Sequence, residues 1–103
     1  MQNKVKIFNE SVPCHKTPMP CSARLLDIIS ELGELGKEYL KATKYGTQQI
    51  ELTEDFTLEF GDVLYSLLSL ANEMNIDAND ALDKVLTKYQ NRINSNGNLW
   101  SGR

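Results

Sequence analysis

The sequence predicts an all-α fold from three observations. Apolar residues recur at steps of three and four over three separate stretches, which is the period of one helical face. All three prolines lie within residues 13–20, outside those stretches. The middle stretch contains ten consecutive uncharged residues, 63–72, and a helix that is apolar nearly all round is buried nearly all round. We expect a helical hairpin followed by a third helix.

Capping residues and apolar periods place the three predicted helices. They are expected over residues 22–44, 53–75 and 77–94. The side chains that can accept a hydrogen bond from the first turn of each helix are Ser22, Thr53 and Asp77. Gly46 can supply the left-handed conformation that closes the first helix. Residues 1–21, with all the prolines, are expected to form an irregular arm that precedes the helical domain (22–94), and residues 95–103 a flexible tail.

Length and composition are those of one small globular domain. The chain has 103 residues, of which 41% are hydrophobic and 24% charged, and its net charge is -3. No basic surface is therefore expected for a nucleic-acid polymer, and no apolar run approaches the roughly 20 residues of a membrane helix. The N-terminus lacks the apolar region of a secretory signal. We expect a cytoplasmic protein that binds neither nucleic acid nor membrane.

The uncharged run also predicts self-association. A chain of this length cannot cover its middle helix on every side, because small domains bury only about two thirds of their unfolded surface. The cover that we expect is a second copy of the chain. The predicted assembly is a homodimer or homotetramer that resembles a four-helix bundle.

Two pairs of acidic residues have the spacing of neighbours on a helix. Glu31 and Glu34 lie three residues apart in the first helix, and Glu59 and Asp62 three apart in the second. Each pair projects from one side of its helix, so two packed helices could direct four carboxylates at one volume. The alternative is a solvated acidic surface, since most carboxylates are simply exposed.

A metal ion is the economical partner for these carboxylates. Residues 45–83 contain no Lys or Arg, and buried carboxylates are costly unless paired or metal-bound. All-oxygen ligation suits Mg²⁺, with Mn²⁺ as the second choice. No His lies near either pair, and Cys14 and Cys21 lack the paired spacing of a zinc site. We expect Glu31, Glu34, Glu59 and Asp62 as ligands.

The residues around both pairs carry a family resemblance. Ser30-Glu31-Leu32-Gly33-Glu34-Leu35, followed by Leu58-Glu59-Phe60-Gly61-Asp62-Val63, resembles the MazG family of all-α nucleotide pyrophosphohydrolases. The resemblance covers about residues 22–93. It implies Mg²⁺-dependent cleavage of a nucleoside triphosphate into a monophosphate and pyrophosphate, as a house-cleaning of the nucleotide pool, and assembly into a dimer or a pair of dimers.

One position departs from the family pattern. Many members have an additional Glu directly before the first pair, where this chain has Ser30. If that Glu activates water in some members, Glu34 or Glu38 would have to do so here. These two are the candidate catalytic residues.

The third helix presents a basic stripe. Lys84, Lys88 and Asn91 recur on one helical face with Arg92 beside them. With the family resemblance, the stripe is expected to bind substrate phosphates, since cations stabilise charge on a transferring phosphoryl group. Without it, a solvated face is the simpler interpretation.

Two rival functions remain open. A related enzyme acting on phosphoribosyl-ATP or on a pyrimidine deoxynucleotide would use the same metal chemistry. A non-catalytic helical dimer, with solvated acids and an apolar interaction surface, belongs to a different class. Stabilisation by Mg²⁺ separates this second rival from an enzyme, since a ligand that binds only the folded state raises the melting temperature.

Overall fold

The computed structural model describes residues 1–12 and 21–97. They form four helices: α1 (Gln2–Ser11), α2 (Cys21–Ala42), α3 (Glu54–Glu73) and α4 (Ala78–Asn96). No strand occurs among these residues, and the predicted all-α class is confirmed. Within the same ranges, none of the helices combines the length and apolar character needed to cross a membrane.

Helix α1 corrects the prediction of an irregular arm. The first twelve residues contain no proline, so nothing in their backbone chemistry prevents a helix. Polar side chains fix α1 to α3: Asn9 donates to the Ser69 hydroxyl at 3.1 Å, and the Tyr65 hydroxyl donates to Asn9. Phe8 meets the Tyr65 ring edge-on at 6.0 Å. Tertiary contacts thus stabilise a helix of ten residues, a length that is marginal for an isolated helix. The proline-containing residues 13–20 lie outside the described ranges.

Two of the three predicted N-caps are confirmed. The Thr53 side chain accepts from the backbone N–H of Phe56 at 3.1 Å, and Asp77 accepts from that of Asp80 at the same distance. The Ser22 prediction is wrong, because α2 already includes Cys21. Helix α4 extends to Asn96 and ends at Gly97 in the left-handed conformation, so residues 95 and 96 belong to the helix. The rest of the predicted tail, 98–103, is outside the described part.

Helix α2 ends two residues before the predicted limit. The Thr43 hydroxyl bonds back to the carbonyl of Tyr39 at 2.9 Å and accepts the N–H of Gly46 at 3.0 Å. Gly46 is left-handed, with φ of 82°, but Lys44 and Tyr45 before it are left-handed too. The N–H of Lys44 bonds to the Lys41 carbonyl and that of Tyr45 to the Leu40 carbonyl, so Lys44 closes the helix and the prediction for Gly46 is wrong. The turn therefore begins at Thr43, and residues 43–53 connect α2 to α3.

The seam between α2 and α3, the main helix contact among the described residues, mixes polar and apolar side chains. The α2 side chains that are buried or half-buried include Arg24, Asp27, Ile28, Glu31, Leu35 and Glu38. The apolar stripe of α2 faces outward, and Leu26 and Ile29 are 68% and 65% exposed. The structure thus places charged side chains of α2 inside the hairpin and leaves much of its apolar stripe uncovered by the chain.

Helix α4 stands apart from the hairpin. It has no buried residue, and the substantial helix contacts are those of α3 with α2 and α1. The radius of gyration is 17.0 Å, whereas a compact domain of this length has about 13 Å. The single chain is therefore an open structure with much of its apolar surface unpaired.

Candidate metal centre

Three carboxylates from α2 and α3 converge on one volume. The carboxylate oxygens of Glu31, Glu59 and Asp62 lie within 4.8 Å of one another. Glu31 of α2 lies opposite α3 in the seam between the two helices. Glu59 and Asp62 are three residues apart, so both lie on the face of α3 that meets α2. The predicted convergence of the two acidic pairs therefore holds for three of the four residues.

The chemistry of these donors fits a hard divalent cation. Each residue can supply a negatively charged oxygen, and Mg²⁺ is held in proteins by one or a few carboxylates with water and substrate oxygens completing six ligands. Ligands around a cation with bonds of about 2.1 Å lie roughly 3–4 Å apart, and the separations here do not exceed 4.8 Å. No His or Cys belongs to this group among the described residues, which fits neither zinc nor a thiolate-bound metal.

The electrostatics show carboxylates that repel one another. Partial burial, followed by the charges of Asp62 and then other acids, raises the pKa of Glu31 above 4.5. The same order of causes raises the pKa of Glu59. Desolvation and like charge both favour the protonated form. A cation bound among these carboxylates would offset the free-energy cost of both desolvation and like charge.

These shifts predict how stability depends on pH without metal. A carboxyl with a raised pKa binds its proton more tightly when folded, so its contribution to stability is present below about 4.5 and is lost as pH rises through the folded pKa. We expect Glu59→Gln to be more stable than the wild type at pH 7 in a chelator, and the gap to close on acidification toward pH 4.5. Urea unfolding of both proteins across this range measures it; a pH-independent gap would contradict the shift.

Glu34 and Glu38 border the cluster without belonging to it. Both raise the pKa of Glu59, so their charges lie close to it. The Glu34 side chain is 53% exposed and lies 3.8 Å from Lys37, whereas that of Glu38 is 20% exposed and lies 3.4 Å from Lys41. Glu38 is thus the more enclosed of the two, on the same side of α2 as Glu31.

The basic stripe is present on α4 but faces solvent in the single chain. Lys84 is bonded to Asp80 at 2.9 Å, which raises the pKa of Lys84. Lys88 and Arg92 lie against the Tyr89 ring, 5.9 and 5.8 Å from its centre. The charged groups that perturb Glu31 and Glu59 are all carboxylates. The structure therefore places the stripe on a separate surface from the cluster. Its fourth predicted member is Asn91, which is exposed.

Sequence reasoning missed the buried arginine of the seam. Arg24 is 3% exposed and contacts carboxylates on both helices. A signal was available, because Arg24, Asp27 and Glu31 recur at steps of three and four, the period of one helical face. Asp27, on the same face, lies at the edge of the helix contact, where it accepts a hydrogen bond from Ser66 and lies 3.8 Å from Arg24.

Comparison with known proteins finds similarity over the segment that contains this site. The sequence profile of the MazG nucleotide pyrophosphohydrolase domain matches residues 22–96. The uncharacterized protein YpjD of Bacillus subtilis (strain 168) is 38% identical over 79 residues, which cover 74% of this chain and 67% of YpjD. No solved structure matches significantly. The matched segment contains α2, α3 and α4 with both acidic pairs, and excludes α1. This chain belongs to the MazG family of nucleotide pyrophosphohydrolase domains.

Proposed function

We propose that the protein is a Mg²⁺-dependent nucleoside triphosphate pyrophosphohydrolase. The observation that carries the proposal is the convergence of Glu31, Glu59 and Asp62 within 4.8 Å, inside the segment that matches the MazG domain. Water would add across the bond between the α and β phosphates, so that a nucleoside monophosphate and pyrophosphate leave. A role in cleaning the nucleotide pool, and the cytoplasmic location expected from the sequence, stay predictions.

The three converging carboxylates would hold the metal, and Glu34, whose charge contributes to the raised pKa of Glu31 and Glu59, would be a fourth ligand. When bound, Mg²⁺ would supply Lewis acidity at phosphate oxygens. The same carboxylates exclude anions from the seam until a cation is bound, because their summed charge repels phosphate. Substrate and metal are therefore expected to bind together, with Mn²⁺ as the alternative metal.

Glu38 is the stronger of the two candidates for accepting the proton of the attacking water. Its side chain is more enclosed than that of Glu34, and a general base must lie within hydrogen-bond reach of the water that it deprotonates. Glu38 lies one turn beyond Glu34 and near Glu59. A water between Glu38 and Glu59 could therefore reach the Glu38 carboxylate. Ser30 is exposed and cannot replace a carboxylate as a base.

Self-association is part of the proposal. The outward stripe of α2, together with exposed apolar residues of α4, leaves more apolar surface than a monomer normally shows. The members of this surface with the largest exposure are Leu26, Ile29, Leu32, Leu82 and Leu86. A homodimer or homotetramer would bury it and could bring α4 of one protomer to the site of another.

The basic stripe of α4 is proposed to contact phosphates in that assembly. We expect Lys88→Ala to raise KM for the triphosphate about tenfold with a smaller effect on kcat, because one ionic contact to phosphate is worth on the order of 1–2 kcal/mol. Steady-state kinetics at saturating Mg²⁺ measures this. Lys4→Ala, which removes a cation from α1 outside the matched domain, is the control. Equal KM values for Lys88→Ala and the wild type would indicate that the basic stripe faces solvent and does not contact the substrate.

A substrate screen tests the function directly. Release of pyrophosphate from a panel of ribo- and deoxynucleoside triphosphates is measured with Mg²⁺ and with a chelator. We expect pyrophosphate release only when Mg²⁺ is present. The same panel identifies the preferred base and sugar. Phosphoribosyl-ATP and pyrimidine deoxynucleotides are included because the same metal chemistry would serve them. Absence of release from every compound, with no stabilisation by Mg²⁺, would favour the non-catalytic helical dimer.

A further inference from the structure

The α2–α3 seam contains a charge network about two helical turns from Glu31 along α2 and three from Asp62 along α3. Arg24 of α2 is 3% exposed. Its guanidinium donates to Glu73 Oε1 of α3 through Nη2 at 3.1 Å and through Nε at 3.4 Å. Its Nη1 lies 3.8 Å from Asp27 Oδ2. A single side chain thus connects carboxylates on both helices.

A second connection lies between this arginine and the cluster. The Ser66 hydroxyl, 3% exposed, donates to Asp27 Oδ2 at 3.1 Å. Asp27 precedes Glu31 by four residues, and Ser66 follows Asp62 by four. The bond therefore joins α2 to α3 one turn away from the cluster on each helix. Asp27 also contributes to the raised pKa of Glu31, which shows that the two carboxylates are close.

Stability alone does not account for this network. Apolar residues of similar volume often replace a buried ion pair without loss, and here the second oxygen of Glu73 is buried without a hydrogen-bond partner among the described residues. Directional bonds supply something that apolar contacts do not, namely one preferred register of the two helices. A shift of α2 along α3 would separate Glu31 from Glu59 and Asp62, and Mg²⁺ tolerates little departure from octahedral geometry.

We infer that Arg24 is a positioning residue for the metal site: bound to Glu73 and Asp27, it holds α2 in the register that places Glu31 beside Glu59 and Asp62. This inference rests on the proposed function, since it requires that the cluster binds a metal. Arg24 touches neither metal nor substrate. It acts through the relative position of the two helices.

The test is the double variant Arg24→Met, Glu73→Met. It removes one positive and one negative charge, so the net charge near the cluster is unchanged, and it leaves no buried group unpaired. Mg²⁺ alone is titrated against each protein, and the concentration that gives half of the thermal stabilisation is measured. We expect a metal-free melting temperature near that of the wild type. The half-saturating Mg²⁺ concentration should rise about tenfold or more, the loss typical of residues that orient metal ligands.

Asn9→Leu is the matched control. It breaks two side-chain hydrogen bonds to α3, but they come from α1 and not from α2. We expect a lower melting temperature with unchanged half-saturation by Mg²⁺. A rise in half-saturation for this variant as large as that of the double variant would overturn the inference, because any loss of stability would then weaken the site.

Arg24→Lys keeps the test decisive if the double variant does not fold. Lysine retains the charge and loses the planar fork that reaches two carboxylates, so half-saturation should still rise. A folded variant of either kind with wild-type half-saturation would overturn the inference and leave the proposed function intact. A wild type without Mg²⁺ stabilisation would overturn both.

Discussion

Asp62→Asn should lower pyrophosphate release by orders of magnitude and remove most of the stabilisation by Mg²⁺. The substitution preserves shape but removes a charge that a hard metal requires. A ligand present at 100 times its Kd stabilises the folded state by about 2.7 kcal/mol, so the lost shift in melting temperature should be several degrees. Activity assays and thermal unfolding, each with Mg²⁺ and with a chelator, measure both effects.

In the absence of metal, we expect the same substitution to have the opposite effect on stability. Asp62 contributes to the raised pKa of both Glu31 and Glu59, so its neutralisation relieves repulsion when no cation is present. We expect an equal or higher melting temperature for Asp62→Asn in chelator. Glu51→Gln is the control, because it removes an exposed carboxylate of the α2–α3 connection. Unchanged activity in Asp62→Asn would rule out the proposed centre.

Leu26→Asp should disrupt the assembly. Leu26 is 68% exposed in the single chain and lies on the outward apolar stripe of α2. If a second copy covers this stripe, the substitution places an unpaired charge in an apolar interface, at a cost of several kcal/mol. We expect a monomer or an unfolded chain at micromolar concentration, where we expect the wild type to be an oligomer. Light scattering and circular dichroism measure mass and helicity together.

A control makes the interface test specific. Gln49→Asp adds the same charge at an exposed position of the connection between α2 and α3, and should leave mass and melting temperature within normal variation, since surface substitutions usually change stability by less than about 0.5 kcal/mol. A wild type that is a folded monomer at micromolar concentration would contradict the proposed assembly. So would a Leu26→Asp variant with the mass of the wild type.

Local chemistry allowed much of the fold to be predicted. Thr53 and Asp77 act as N-caps because a side-chain oxygen can reach the first-turn N–H groups whatever the rest of the chain does. Gly46 adopts the left-handed conformation without steric cost because it lacks a Cβ, but Lys44 and Tyr45 adopt it as well. Helix α1 could not be predicted in the same way, since its contacts with Tyr65 and Ser69 join residues far apart in sequence.

The face on which a helix packs is a different kind of property. The periodicity of the sequence showed that α2 has an apolar stripe and a polar stripe. It did not show which of the two stripes meets α3. The structure packs the polar stripe inside the hairpin, with Arg24 and Asp27 bonded across it. The apolar stripe, with Ile29 at 65% exposure, is left for contacts outside the chain. Burial within one chain and burial in an assembly produce the same pattern in a sequence.

The sequence by itself determined the helical class, the two N-caps of α3 and α4, and the acidic pairs, because each depends on residues within a few positions of one another. Only the tertiary structure decided that Glu31 joins Glu59 and Asp62 while Glu34 stays outside the group, and that Arg24 lies buried in the same seam. Those outcomes depend on the rotation and register of α2 against α3. Many long-range contacts set these together, and no short stretch of the sequence contains them.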